Sequence, residues 1–310
     1  MKHPLFYFVL LSGLLFASTV IAEEKPKKPV EKLEALSDFM RITKLEGKRQ
    51  PQSMDTAVVR FEDKKKGITV DLIAAVHIGD KEYYEELNEI FKQYDVLLYE
   101  LVAEKGTVLD KKAVEDKKGK SVLSAFQSSM GESLKLDFQL EHVDYTAKNF
   151  VHADLSPAEF ARRVSERGDI VQMLYRAIIL GMKKGKEGEN EELRMQGRLL
   201  GTFLARDPSL QLKRFFAKEM ISQMDDSIWV IGGDEGSAII TDRNNAALKV
   251  LRREIRDGKK KLAIFYGGAH LPEFAKSLEK IFDMTPTEVS WIIAWDLTSD
   301  RSARKTTATD

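Results

Sequence analysis

The segment Ile68 to Val76 reads ITVDLIAAV and runs straight into His77. After Asp71 it is continuously apolar, a pattern that suits a strand buried on both faces. From Lys81 the period changes. Tyr83, Tyr84, Leu87, Ile90, Phe91 and Tyr94 recur at helical spacing, marking one apolar stripe. Asp95 to Leu101 (DVLLYEL) is again a buried strand, with Glu100 at its end. Strand, His77, helix, strand, Glu100 is a βαβ unit, and predicts a parallel pair joined by a right-handed crossover. Upstream, Ala57 to Phe61 and the turn-like residues Asp63 to Gly67 predict a hairpin with the first of these strands.

The far end of the chain repeats the arrangement. Lys261 to Tyr266 (KLAIFY) reads as a strand, followed by Gly267-Gly268-Ala269-His270. Pro272 suits the first turn of a helix. Phe274, Leu278, Ile281 and Phe282 supply that helix's apolar stripe, and Glu288 to Leu297 returns as a strand containing Asp296. His270 and Asp296 stand at nearly the separation of His77 and Glu100, as in a degenerate internal repeat. The expected fold class is therefore α/β: a mixed, largely parallel sheet built from two strand–His–helix–strand units, with a helical middle insertion.

That helical middle spans about 121–256. Ser156-Pro157-Ala158-Glu159 is a helix start of the Ser-x-x-Glu type. Gly181 to Asn190 reads as a polar, glycine-punctuated loop, Leu199 to Met224 as helix, and Asp242 to Arg256 as an amphipathic helix leading into the second His-bearing strand. Residues 1–22 combine a short basic start, an apolar run and small residues before Glu23, as a cleaved signal peptide does. Residues 23–50 read as an N-terminal tether, 51–298 as a single α/β domain and 299–310 as a disordered tail. The expected location is outside the cytoplasm, periplasmic or secreted, with no stable membrane span after cleavage.

Composition narrows the chemistry. Lys and Arg number 49 against 49 Asp and Glu, so there is no basic excess of the kind that nucleic-acid binders carry. Without cysteine, thiolate catalysis, disulfides and iron–sulfur clusters are excluded. No nucleophile elbow, Walker loop, dinucleotide fingerprint or H-E-x-x-H motif occurs. Of five histidines, His77 and His270 follow apolar strands directly, and open α/β sheets bind ligands at the carboxyl ends of their strands. The two imidazoles with Glu100 and Asp296 are placed to converge there. Such a set suits manganese, cobalt, iron or zinc, which polarises a carbonyl or activates a bound water. The same residues also serve as ordinary strand-end and capping groups, and Asp80 reads as an N-cap. His152 and Asp154 would share a face in an extended segment, although Asp154 also suits a cap. Arg243, opening the helix with Asn244, is placed either to clamp a carboxylate or phosphate or to form a surface salt bridge. Trp229, Trp291 and Trp295 read as core.

Taken together, Ala74-Ala75-Val76-His77, Glu100, Asp242-Arg243-Asn244 and Gly267-Gly268-Ala269-His270 resemble the motif set of the TraB/PrgY/GumN family, which includes the Tiki proteases. The first motif has Ala where the family pattern has Gly. The similarity covers roughly Ala57 to Leu297. The resemblance implies a fold related to the erythromycin-esterase and ChaN-like proteins, with both histidines and Glu100 lining one site. It further implies an exported metal-dependent hydrolase, a Tiki-like peptidase acting on a peptide or protein. His77, Glu100, His270 and also Asp154 would hold a divalent ion, with manganese or cobalt favoured over zinc or iron. Glu100 and Arg243 would be catalytic; Arg243, His152 and Asn244 would contact substrate. The alternative from another class is a non-catalytic protein that sequesters a peptide or haem.

Overall fold

The computed structural model describes Leu33, residues 38–45, Gly47, residues 50–107 and residues 134–298. The expected signal peptide 1–22, most of the tether, the tail 299–310 and the first part of the helical middle lie outside the described residues. The fold is mixed α/β, as the strand and helix patterns require.

Strand β1 (Met40–Thr43) precedes the long β2 (Ser53–Asp63), which turns into β3 (Ile68–Ala75). The expected hairpin is present, with Val58 facing Ile73 and Asp63 facing Ile68. Its turn closes locally. Asp63 Oδ1 accepts from the amides of Lys65 and Lys66, both at 3.1 Å, and Gly67 takes a φ of 60°, where a Cβ would be strained. A short β4 (Ile78–Gly79) leads into α1 (Lys81–Phe91), which buries Tyr83, Tyr84, Leu87 and Phe91 against the sheet. Strand β5 (Val96–Tyr99) follows.

The middle is not purely helical. It carries β6 (Asp137–Phe138), which pairs with β4, a single turn α2 (Gln139–His142), and β7 (Phe150–His152), which joins the main sheet. Helix α3 (Pro157–Arg167) starts where expected. Ser156 and Glu159 form a complete capping box, and Gly168 ends the helix in the left-handed region. Helix α4 (Asp169–Phe203) then runs for 35 residues. The loop expected over Gly181 to Asn190 is absent, because the backbone stays helical throughout. Three glycines there cost about 1 kcal/mol each against alanine, but Lys and Glu, which fill most of the other positions, are good helix formers. Helices α5 (Pro208–Ser222) and α6 (Met224–Gly232) pack on α4. A π-turn (Ala238–Asp242) opens into α7 (Arg243–Arg256), then β8 (Lys261–Gly267), a 3₁₀ turn (Gly268–His270), α8 (Leu271–Phe282) and β9 (Thr285–Asp296).

Seven strands form the main sheet. Strand β9 pairs along β2 on one side, while β1 and β3 meet β2 through its earlier and later residues. Beyond β3 the order is β8, β5, β7, all parallel. This corrects the expectation of two adjacent parallel pairs. Strand β8 sits between β3 and β5, and β9 lies on the far side of β2 instead of beside β8. Each strand–His–helix–strand unit is real as a chain segment, and its two strands run the same way, but neither unit makes neighbours. A crossover fixes direction within a sheet and leaves room for a third strand. The insertion matters for chemistry, since it brings the ends of β3, β8, β5 and β7 to one edge. The core lies between this sheet and α1, α7 and α8, with Leu72, Ile73, Leu97, Leu98, Ile264 and Tyr266 all fully buried.

Candidate functional site

Parallel register decides which side chains meet. Ala75 pairs with Gly267, Tyr99 with Phe265, and Tyr99 with His152. The next residues out of each strand are therefore His77, Glu100, Asp154 and the turn that carries His270. Helix α7 begins over this edge and brings Arg243 and Asn244 to it.

Glu100 is the hub. Its Oε1 accepts from Arg243 Nη2 at 2.7 Å and its Oε2 accepts from the Gly267 amide at 2.6 Å. A side chain at Gly267 would place its Cβ 3.2 Å from that Oε2, so glycine allows the close approach. Arg243 also grips Asp154. Its Nε donates to Oδ1 at 3.0 Å and its Nη2 to Oδ2 at 2.6 Å, and the Asp154 side chain is 0% exposed. The guanidinium thus bridges two buried carboxylates, with the Phe160 ring 6.0 Å from its carbon. Its Nη1 makes no hydrogen bond among the described residues, which leaves one edge of the guanidinium for another oxygen.

His270 is buried at 4% exposure. Its Nε2 stands 3.7 Å from Glu100 Oε1, too long for a hydrogen bond. Its Nδ1 lies 2.7 Å from Asn244 Oδ1, while Asn244 Nδ2 donates to the His270 carbonyl at 3.2 Å. That second bond orients the amide. With the nitrogen committed to a carbonyl, Oδ1 must be the acceptor, so His270 carries its proton on Nδ1 and leaves Nε2 bare.

The charges agree with this assignment. Burial opposes ionisation of Glu100, but His270, Arg243, His77 and the Gly267 amide together hold its pKa down at about 2. Burial depresses His270 to about 4, even against the attraction of Glu100. Burial works against the charge on Arg243, yet Asp154 and Glu100 more than reverse this and raise its pKa. At neutral pH the site holds two carboxylates, one guanidinium and a neutral imidazole whose bare lone pair faces a carboxylate oxygen.

The remaining expected residues fall into three groups. His77 is exposed at the rim and close enough to act electrostatically on Glu100 and His270. His152 bonds the Leu101 carbonyl at 2.6 Å and packs on Tyr99, which places it outside the Arg243 cluster. Asp296, expected to converge with Glu100, does not. It ends β9, three strands from β8 and so roughly 14 Å across the sheet, where Oδ1 accepts from Thr298. Asp80 is at the N-cap position of α1 but makes no side-chain cap bond. It instead accepts from Lys213 of α5 at 2.7 Å and from the Asp296 amide. No local sequence pattern marks Lys213, because its partner Asp80 lies 133 residues away in the chain.

As a metal centre, the residues fit unequally. The bare Nε2 of His270 and the ionised Glu100 are the ligand forms that a divalent ion requires. An Nδ1–H held by an acceptor is the usual support for an Nε2 ligand. His77 at the rim supplies a further imidazole. Asp154 fits less well than Glu100: each of its oxygens already accepts two bonds, from the Leu155 amide and Arg243 Nε at Oδ1 and from Arg243 Nε and Nη2 at Oδ2, whereas each Glu100 oxygen accepts one. Among the described residues no three His, Asp or Glu side chains are gathered as a ready-made metal-holding group. No helix of the described residues is long and apolar enough to cross a membrane. No family model matches this chain, and no curated protein matches it.

Proposed function

We propose that this chain is an exported, metal-dependent hydrolase of the TraB/PrgY/GumN type that cleaves a peptide or protein at the carboxyl edge of the sheet. One observation carries the reading: the bare Nε2 of His270 faces the ionised Glu100 across 3.7 Å. Two lone-pair groups turned toward each other in a buried site call for a cation or a donor between them. His270 is held too far below neutrality to supply the proton itself.

His77, Glu100 and His270 would hold the ion, which in such a site polarises a carbonyl or lowers the pKa of a bound water. Asn244 fixes the His270 tautomer and is a positioning residue. Arg243 keeps Glu100 ionised and oriented through Asp154, and its free Nη1 is the group that would stabilise charge developing on a substrate oxygen. The donor set and the ordered motifs support this reading; the apolar leader supports export.

The test is a peptide-cleavage screen on the purified chain, with chelator and with manganese or cobalt added back. The expected result is cleavage that chelator abolishes, that metal restores, and that is lost in His270→Asn. Absence of any cleavage, or cleavage indifferent to both chelator and His270→Asn, contradicts the proposal. Haem or peptide binding unaffected by chelator would favour the sequestering alternative.

A further inference from the structure

Between α3, α7 and the loop after β5 lies a cavity of about 280 Å³, separate from the Glu100–His270 pair. It has room for a small charged group and the atoms next to it, and is smaller than most sites that enclose a drug-sized molecule. Its lining includes four cations, Lys105, Arg163, Lys249 and Arg253, and three acids, Asp154, Glu159 and Asp242.

The acids are already engaged. The Asp154 side chain is fully buried against Arg243, so it presents backbone and not charge to the cavity. Asp242 accepts two bonds from Arg167, at 2.9 and 3.0 Å. Glu159 takes the amide and hydroxyl of Ser156 on one oxygen, both at 3.1 Å, and its carboxylate still acts on Lys105 and Arg163. Of the cations, Arg253 is paired with Glu254, whereas Lys249 has no ion pair or hydrogen bond among the described residues. Arg163 is only half satisfied. Its Nη1 lies 3.5 Å from Asp242, and its Nε is buried with no hydrogen-bond partner. A buried donor left unpaired is costly and calls for an explanation. With Asp154 and Asp242 bound to Arg243 and Arg167 and with Arg253 bound to Glu254, Lys105, Arg163 and Lys249 face one remaining carboxylate, Glu159, and the recess keeps a positive excess that favours an incoming anion.

We infer that this recess is an anion-binding site for a ligand carrying a carboxylate or phosphate group, anchored by Arg163 and Lys249 with Lys105 at its mouth. An arginine guanidinium makes charge-assisted bonds to either group, and a lysine adds a point charge. The inference does not rest on the hydrolase reading, because it concerns binding alone.

The experiment is calorimetric titration of the full chain at low salt with two probes, inorganic phosphate and N-acetylglutamate. At least one should bind saturably with a dissociation constant in the millimolar range or tighter. Lys249→Glu and Arg163→Gln should each weaken that binding about tenfold or more, as loss of one charge-assisted bond implies. Lys249→Arg should retain it. Lys276→Glu, on α8 beside a different cavity, should leave it unchanged, and added salt should weaken it. Binding of phosphate alone assigns a phosphate site, and binding of N-acetylglutamate alone assigns a carboxylate site. No saturable binding of either probe, or binding indifferent to both Lys249→Glu and Arg163→Gln, overturns the inference. The bound probe should also raise the melting temperature of the wild type and not of Lys249→Glu, which separates loss of the site from loss of the fold.

Discussion

Arg243 stands where two buried negative charges would otherwise repel each other. Glu100 and Asp154 share its guanidinium at 2.6–2.7 Å, and among the described residues neither has an ion pair with a second Lys or Arg. Removing one partner from a buried ion network strands the rest, typically at about 3–5 kcal/mol. Arg243→Met should therefore lower the denaturant midpoint at pH 7 by that equivalent. The gap from wild type should narrow as the pH falls, because the stranded carboxylates can then take up protons. His270 supplies a separate signature in metal-free protein. Burial holds its folded pKa at about 4 against an ordinary value of 6.5, so between those values the unfolded chain binds a proton that the native chain refuses. Stability from this residue is complete above pH 6.5 and is lost as the pH falls toward 4. Glu100, depressed to about 2 from 4.5, extends the loss below pH 4.5. Denaturant melts at pH 7, 5.5 and 4.5 should show a shallower upper slope in His270→Asn; an unchanged slope would mean that His270 is not buried neutral. At this scale the sequence was informative about identity and poor about partners. Glu100, Asp154, Arg243, Asn244 and His270 were all legible as chemistry-bearing residues at strand or helix ends. That Arg243 faces the acids, and that Asn244 holds His270, was not, because partners 26 to 143 residues apart leave no local pattern.

Helix α5 is tied to the sheet edge by a buried ion pair, beside the Arg214 bond to the Leu297 carbonyl. Lys213, 6% exposed, donates to Asp80, 4% exposed, just before α1. The Lys213→Met substitution keeps the length and apolar stem but leaves Asp80 without this cation. It should cost about 3–5 kcal/mol, with part recovered in the double variant Asp80→Asn/Lys213→Met. Additive losses in that double-mutant cycle would show that the two do not act as a pair. Elements with a strong local signal were legible: the β2–β3 hairpin, the α1 stripe, the Ser156 capping box and the Arg243 helix start. The continuous α4 was not, since glycines at 181, 185 and 188 look like loop punctuation although the intervening Lys and Glu favour helix. Strands as short as β6 and β7 carry too few residues for a period to emerge.

Across the whole molecule, the decisive feature is the insertion of β8 between β3 and β5. It makes neighbours of strand ends far apart in the chain, and with α7 it assembles the site from both ends of the sequence. The α/β class and the direction of the strands were readable from the pattern of apolar runs. Strand order was not, because a crossover helix specifies that two strands are parallel and does not specify what lies between them. On our proposal, the bare His270 nitrogen and Glu100 hold a divalent ion. The test is elemental analysis of the full chain after reconstitution with manganese or cobalt, beside His270→Asn and Glu100→Gln. Near-stoichiometric metal in the wild type, lost in both variants while they remain folded, is the predicted result. No retained metal in the wild type, or equal metal in all three, would contradict it.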